Sequence, residues 1–152
     1  MIKLLIIVIV VLVGGFFLLR WLLPAMSPRP DGLGVENGRL SPCPDKPNCV
    51  STLSNGKTQG MDPLVYDGET SNAHHQITNI INQTPNTTII STESDYIYAE
   101  FRTPLLNLID DVEFYFDSEN GLIHFRSASR LGYGDLEANR KRMNIIIEAY
   151  TR

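Results

Sequence analysis

The chain has 152 residues, with 17 acidic side chains against 13 lysines and arginines and a formal net charge of −4. A mildly acidic chain lacks the basic surplus by which nucleic-acid binders are recognised, and its size, once an apolar N-terminal run is set aside, allows one core. With two cysteines and three histidines, it lacks the two ligand pairs of an ordinary zinc centre; no metal and no cofactor is expected.

Leu4 to Leu19 is uninterrupted apolar sequence, preceded by Lys3 and followed by Arg20, Trp21 and Pro24. That is just under the roughly 17–25 residues of a membrane span. The flanks lengthen it, because Arg20 can raise its charge to the interface while its stem stays in lipid and Trp21 suits the headgroup layer. The competing reading is a cleaved secretory signal, with Ala25-Met26-Ser27 as the cleavage site; Pro28 disfavours it. The chain divides on this reading into an anchor or uncleaved signal (1–26), a Pro/Gly-rich linker (27–40) and a soluble domain (41–152). The basic flanks barely orient the anchor. Cys43 and Cys49 do more: their turn-rich spacing suits a small disulfide ring, worth roughly 2–3 kcal/mol and durable only in an oxidising compartment. The domain is therefore expected outside the cytoplasm, as a periplasmic or other extracytoplasmic envelope protein.

The linker has no hydrophobic period and reads as a tether. A first helix is expected from Ser71 or Asn72, with Ala73, Ile77, Ile80 and Ile81 as its apolar stripe and Pro85 as its stop. Four strands follow, over 87–93, 96–103, 111–117 and 122–130, joined by turns that make neighbours antiparallel. The apolar connection Pro104–Ile109 either packs under the sheet or touches the membrane. Asp135 is the expected N-cap of a closing helix that carries Leu136, Met143, Ile146, Ile147 and Tyr150 on one face. Together these predict an α+β two-layer sandwich: a four-stranded antiparallel meander with two helices on one face.

The junction from Arg126 to Arg142 holds the densest chemistry: Arg126, Ser127, Ser129, Arg130, Tyr133, Asp135, Asn139, Arg140 and Arg142 are the candidate binding residues. Helical projection places Asn139 inside the apolar stripe and Arg140 at its edge, so both are directed at the sheet. Ser127 and Ser129 continue the core-facing alternation of Ile123 and Phe125, and offer hydroxyls where those groups arrive. Two readings follow. A pocket ringed by Arg130, Arg140 and Arg142 would draw an anion to the helix start; a structural network would pin helix to sheet, and Asp135 at the helix N-terminus favours it. On the opposite face Glu113 should lie across from Arg126 as a solvated pair worth roughly 0–1 kcal/mol. A hydrolase using Ser127 or Ser129 with His124 and Asp111 or Asp135 is the alternative, but no Gly-x-Ser-x-Gly elbow is present and His124 alternates away from both serines. The favoured function is a non-catalytic ligand- or partner-binding or structural module, with the membrane, an anionic ligand or an envelope protein as partner.

Three motifs carry a resemblance: Cys43-Pro with Pro47-Asn48-Cys49-Val50-Ser51, Asp110-Asp111-Val112-Glu113-Phe114, and the run from Arg126 to Asp135 with Asn139-Arg140-Lys141-Arg142. They resemble the domain-of-unknown-function 1499 family of bacterial envelope and plastid proteins, over about Ser41 to Tyr150. Members usually carry glycine and valine where Glu137 and Ala138 stand here. The resemblance implies a domain and a location, and no activity.

Overall fold

The computed structural model describes residues 1–152. α1, Ile2–Ala25, is a 24-residue helix with no buried residue, and it is long and apolar enough to cross a membrane. At about 1.5 Å per residue it spans roughly 36 Å, against a hydrocarbon thickness of roughly 30 Å.

The centre of the domain is an antiparallel meander of β5 (Thr87–Thr92), β6 (Tyr96–Arg102), β7 (Ile109–Asp117) and β8 (Leu122–Ser129). One face presents Ile97, Ala99, Phe101, Val112, Phe114, Phe116, Ile123 and Phe125 to the core. α2 (Thr70–Gln83) lays Ala73, Ile77 and Ile81 on that face, and α3 (Ala138–Tyr150) adds Met143 and Ile146. The α+β sandwich with both helices on one side of an antiparallel sheet is therefore as expected.

The sheet is wider than expected, with six strands rather than four. β3 (Cys49–Ser51) and β4 (Leu64–Val65) both pair antiparallel with β8 and extend that edge. Strands of three and two residues are too short to show a period of two.

The segment 27–40 differs from the expected tether. It folds back over the second face of the sheet as a strap and contains a hairpin of β1 (Val35–Glu36) and β2 (Arg39–Leu40). The turn is Asn37-Gly38, both with positive φ, 52° and 71°, the conformation a tight two-residue hairpin requires. Leu40 packs with Tyr96 and Tyr98 of β6, and Leu33 and Val35 lie against them. The molecule thus has three layers: helices, sheet and strap.

α3 starts later than expected. Leu136 and Glu137 are left-handed, with φ of 54° and 64°, so the helix opens at Ala138. Leu136, expected on the apolar face, stands 93% exposed because it lies in this turn, outside the helix. Asp135 still caps from before the turn: its carboxylate accepts from the backbone N–H of Glu137 at 3.0 Å and of Asn139 at 2.8 Å.

Candidate functional site: two polar layers and an interfacial cleft

Ser127 and Ser129 sit on the helix side of β8, where the alternation that buries Ile123 and Phe125 continues. Asn139, in the first turn of α3, is completely buried opposite them. Its Oδ1 accepts from the Ser127 hydroxyl at 2.6 Å and from Arg142 Nη1 at 2.6 Å. Its Nδ2 lies 2.7 Å from Asp135 Oδ2, 2.9 Å from Ser129 Oγ and 3.0 Å from the Asn48 carbonyl. A buried amide left without such partners would cost several kcal/mol, so this arrangement fixes how α3 enters the core.

The guanidinium that joins this layer is that of Arg142, not Arg140. At 3.6 residues per turn Arg142 neighbours Asn139 on the helix surface. It pairs with the buried Asp110, donates to Ser127 Oγ at 3.1 Å and lies over the Phe101 ring at 5.0 Å. Arg140 points to the other edge of the helix and donates to the carbonyls of Thr58 at 3.0 Å and Gly60 at 3.1 Å. It fastens the β3–β4 loop.

Arg126 and Arg130 belong to the opposite face of the sheet, as alternation from Ser127 and Ser129 requires. Arg130 clasps Asp111 through Nε (2.9 Å) and Nη2 (2.7 Å), touches Glu100 Oε1 at 2.5 Å, and donates to the Tyr98 hydroxyl at 2.9 Å. Its Nη1 donates to the Ser27 carbonyl at 3.2 Å, and Arg29 reaches Glu100 at 3.1 Å, so the strap is tied to this layer. Glu113 lies across from Arg126 in register, as expected, and the pair is 3.2 Å apart. The expectation of a solvated pair is corrected by burial: Glu113 is 0% exposed, and the Gly34 N–H and the Tyr96 hydroxyl also donate to it, at 2.7 and 2.8 Å. The strap, which was read as a tether, excludes the water that would have weakened the pair.

The electrostatics follow from the covering. Burial alone would raise the Glu100 carboxyl, but hydrogen bonds from Arg130 and Arg29 overcome it and hold the group below the usual carboxylate range. Burial would lower the Arg130 guanidinium, yet Asp111 and Glu100 raise it above its already high value. Burial, reinforced by Glu113 for Tyr96 and by Asp111 for Tyr98, pushes both phenols far up.

The three arginines of the alternative anion-pocket reading are not brought together. Arg130 lies on one face of the sheet, Arg142 on the other, and Arg140 holds a loop. Tyr133 is 74% exposed and makes no hydrogen bond. Nor do the hydrolase groups meet: the Ser127 hydroxyl is fully buried on Asn139. His124, on the other face, shares a hydrogen bond with Thr52 at 3.1 Å, and burial lowers its pKa. Cys43 and Cys49 are joined as a disulfide.

Open space lies elsewhere. A cleft of about 800 Å³ lies between the last turns of α1 and the end of the sheet where β6 leads into β7, with Phe17, Arg20 and Trp21 on the helix and Arg102 and Ile109 on the sheet. Arg20 Nη1 donates to the carbonyls of Pro104 (2.6 Å) and Leu105 (2.7 Å) in the connection from β6 to β7. Sequence reasoning passed over Arg20 and Arg102 as site residues. The signal available was the apolar Pro104–Ile109 connection, one of whose two expected places was the membrane.

No curated protein matches this chain. The family described as "Protein of unknown function (DUF1499)" matches residues 39–149, which takes in β2 through almost all of α3 and both polar layers. That match covers well over half of the sequence, in agreement with the cysteine, Asp-Asp and Arg126–Arg142 motifs: the chain belongs to the DUF1499 family.

Proposed function

We propose that this protein is a membrane-anchored, non-catalytic binding module whose domain is seated on its own anchor on the extracytoplasmic side. The carrying observation is that Arg130 binds the Ser27 carbonyl with the same guanidinium that holds Asp111 and Glu100. The exit of α1 is thereby built into the sheet's buried ion layer instead of leading away through a slack linker. Arg29–Glu100 and Arg20 on the Pro104 and Leu105 carbonyls add two further ties. A cystine at Cys43–Cys49 favours an oxidising compartment. In both polar layers every buried carboxylate is paired with an arginine, which suits a role in holding shape better than one in turning over a substrate.

The test is fractionation of the full chain. The protein should stay with membranes through alkaline carbonate extraction. Protease added on the extracytoplasmic side should reach the domain, and its two cysteines should resist maleimide until reduced. A soluble product whose N-terminus lies near Ser27 would refute the anchor, and thiols that react without reductant would refute the location.

A further inference from the structure

The cleft beside α1 has a chemistry of its own. Phe17, Arg20, Trp21 and Pro24 fall at helical spacings of three and four, so they share one face of α1, and that face lines the cleft. Phe17 is 62% exposed and Trp21 71%. The facing wall is polar: Arg102, with Glu100 and Arg130 behind it.

The charges do not balance. Arg20, Arg29, Arg102 and Arg130 gather here around Glu100 and Asp111, the only carboxylates that pair with any of them. Two guanidiniums are therefore in excess. Arg20 commits only Nη1, to carbonyls, and Arg102 commits only Nη2, to Glu100 at 2.9 Å. Each keeps Nε and its other terminal nitrogen free, on opposite walls of the cleft. Arg20 is also the residue at which the apolar run of α1 ends, so the cleft stands at the level where hydrocarbon gives way to headgroups.

We propose that this cleft holds an anionic phospholipid of the membrane that α1 crosses, with its phosphodiester between Arg20 and Arg102 and an acyl chain along Phe17 and Trp21. The assignment rests on the membrane reading above and names the ligand of that seat. A guanidinium on each side of the phosphate gives charge-assisted hydrogen bonds, and the apolar helix face takes the chain. An acidic headgroup is preferred over a zwitterionic one because the cleft's surplus charge lacks a protein counterion.

Trp21, the chain's single tryptophan, reports on the cleft directly. The full chain is reconstituted in vesicles of phosphatidylcholine and phosphatidylglycerol, with bromine carried on one lipid at a time. Brominated phosphatidylglycerol should quench Trp21 more strongly than brominated phosphatidylcholine at equal mole fraction. Arg102→Gln should cut that preference about fivefold, the effect of one cation at a membrane surface, while Arg102→Lys retains most of it. Arg20→Gln reads the same site from the other wall. Arg39→Gln, on the exposed hairpin outside the cleft, should leave the ratio unchanged. Equal quenching by both lipids in the unmodified protein, or an equal drop in Arg39→Gln, overturns the site. Loss of the preference on adding inorganic phosphate would assign the cleft to a free anion and overturn the lipid. Absence of quenching by either lipid would instead place Trp21 outside the bilayer and remove the anchor reading itself.

Discussion

Arg130→Leu is the sharpest probe of the covered face. The Arg130 side chain is 5% exposed, and its partners Asp111 and Glu100 are 2% and 8% exposed. Leucine fills much of the space but leaves Asp111 with the Tyr98 hydroxyl as its one remaining side-chain donor, at 2.6 Å. Glu100 retains Arg29 and Arg102, which are 50% and 34% exposed and so screened by water. Removing one partner of a buried pair costs about 3–5 kcal/mol, a large part of the roughly 5–15 kcal/mol that holds a domain together. Arg102→Leu, by contrast, breaks a half-exposed pair and should cost about 0–1 kcal/mol. Urea unfolding of the full chain in non-ionic detergent, followed by near-ultraviolet circular dichroism of the tyrosines, separates the two. The double variant Arg130→Leu with Asp111→Leu should be less destabilised than the two single losses added together, by about 2 kcal/mol or more. If Arg130→Leu costs no more than Arg102→Leu, the strap does not keep water from this layer and the reasoning fails.

Three further outcomes are expected. Asn139→Ala should cost about 3 kcal/mol, since it strands Ser127, Asp135 and Arg142 in a buried site; a loss under about 1 kcal/mol in the same unfolding assay would mean that the amide is dispensable. Glu137→Gly should raise stability by about 1 kcal/mol, because φ at 137 is 64° and its side chain makes no hydrogen bond; a lower melting temperature would contradict this. Acid should weaken the fold in two steps, both of the same sign. His124 has a depressed folded pKa, so its contribution is present above about pH 6.5 and is lost as pH falls through the folded value. Glu100 is likewise depressed, and its contribution is present above the ordinary carboxylate range and lost at still lower pH. His124→Gln should flatten the first step and leave the second; an unchanged pH–stability curve would dissociate His124 from it.

What was legible in the sequence, and what was not, divides along the strap. Alternation in β6 to β8 and the stripe of α2 follow from local periods, so the core face and both helices could be read directly. The meeting of Asn139 with Ser127 and Ser129 was legible for the same reason: two periods predicted polar atoms at one place. The charged face was misread as solvated because its cover comes from residues 27–40, which carry no period. Asn37-Gly38 between Val35 and Leu40 was the one local signal, and it lay in a stretch dismissed for its prolines and glycines. The choice of Arg140 over Arg142 failed because the two stand at opposite edges of the stripe. Counting Leu136 into it drew the stripe toward Arg140, whereas Leu136 lies in the left-handed turn outside the helix and the i+3 neighbour of Asn139 is the one that reaches Asp110. Glycine at 137, usual among the relatives that the motifs resemble, points to that same turn.

The link from Arg130 back to Ser27 joins residues 103 positions apart. During synthesis from the N-terminus, Ser27 is made long before the strand end that grips it, so this one tie can close only after the whole meander has been made. A chain cut short before Arg130 would keep the strap's ties to Glu100 and Glu113 but leave Asp111 without its guanidinium and the exit of the anchor helix without its latch.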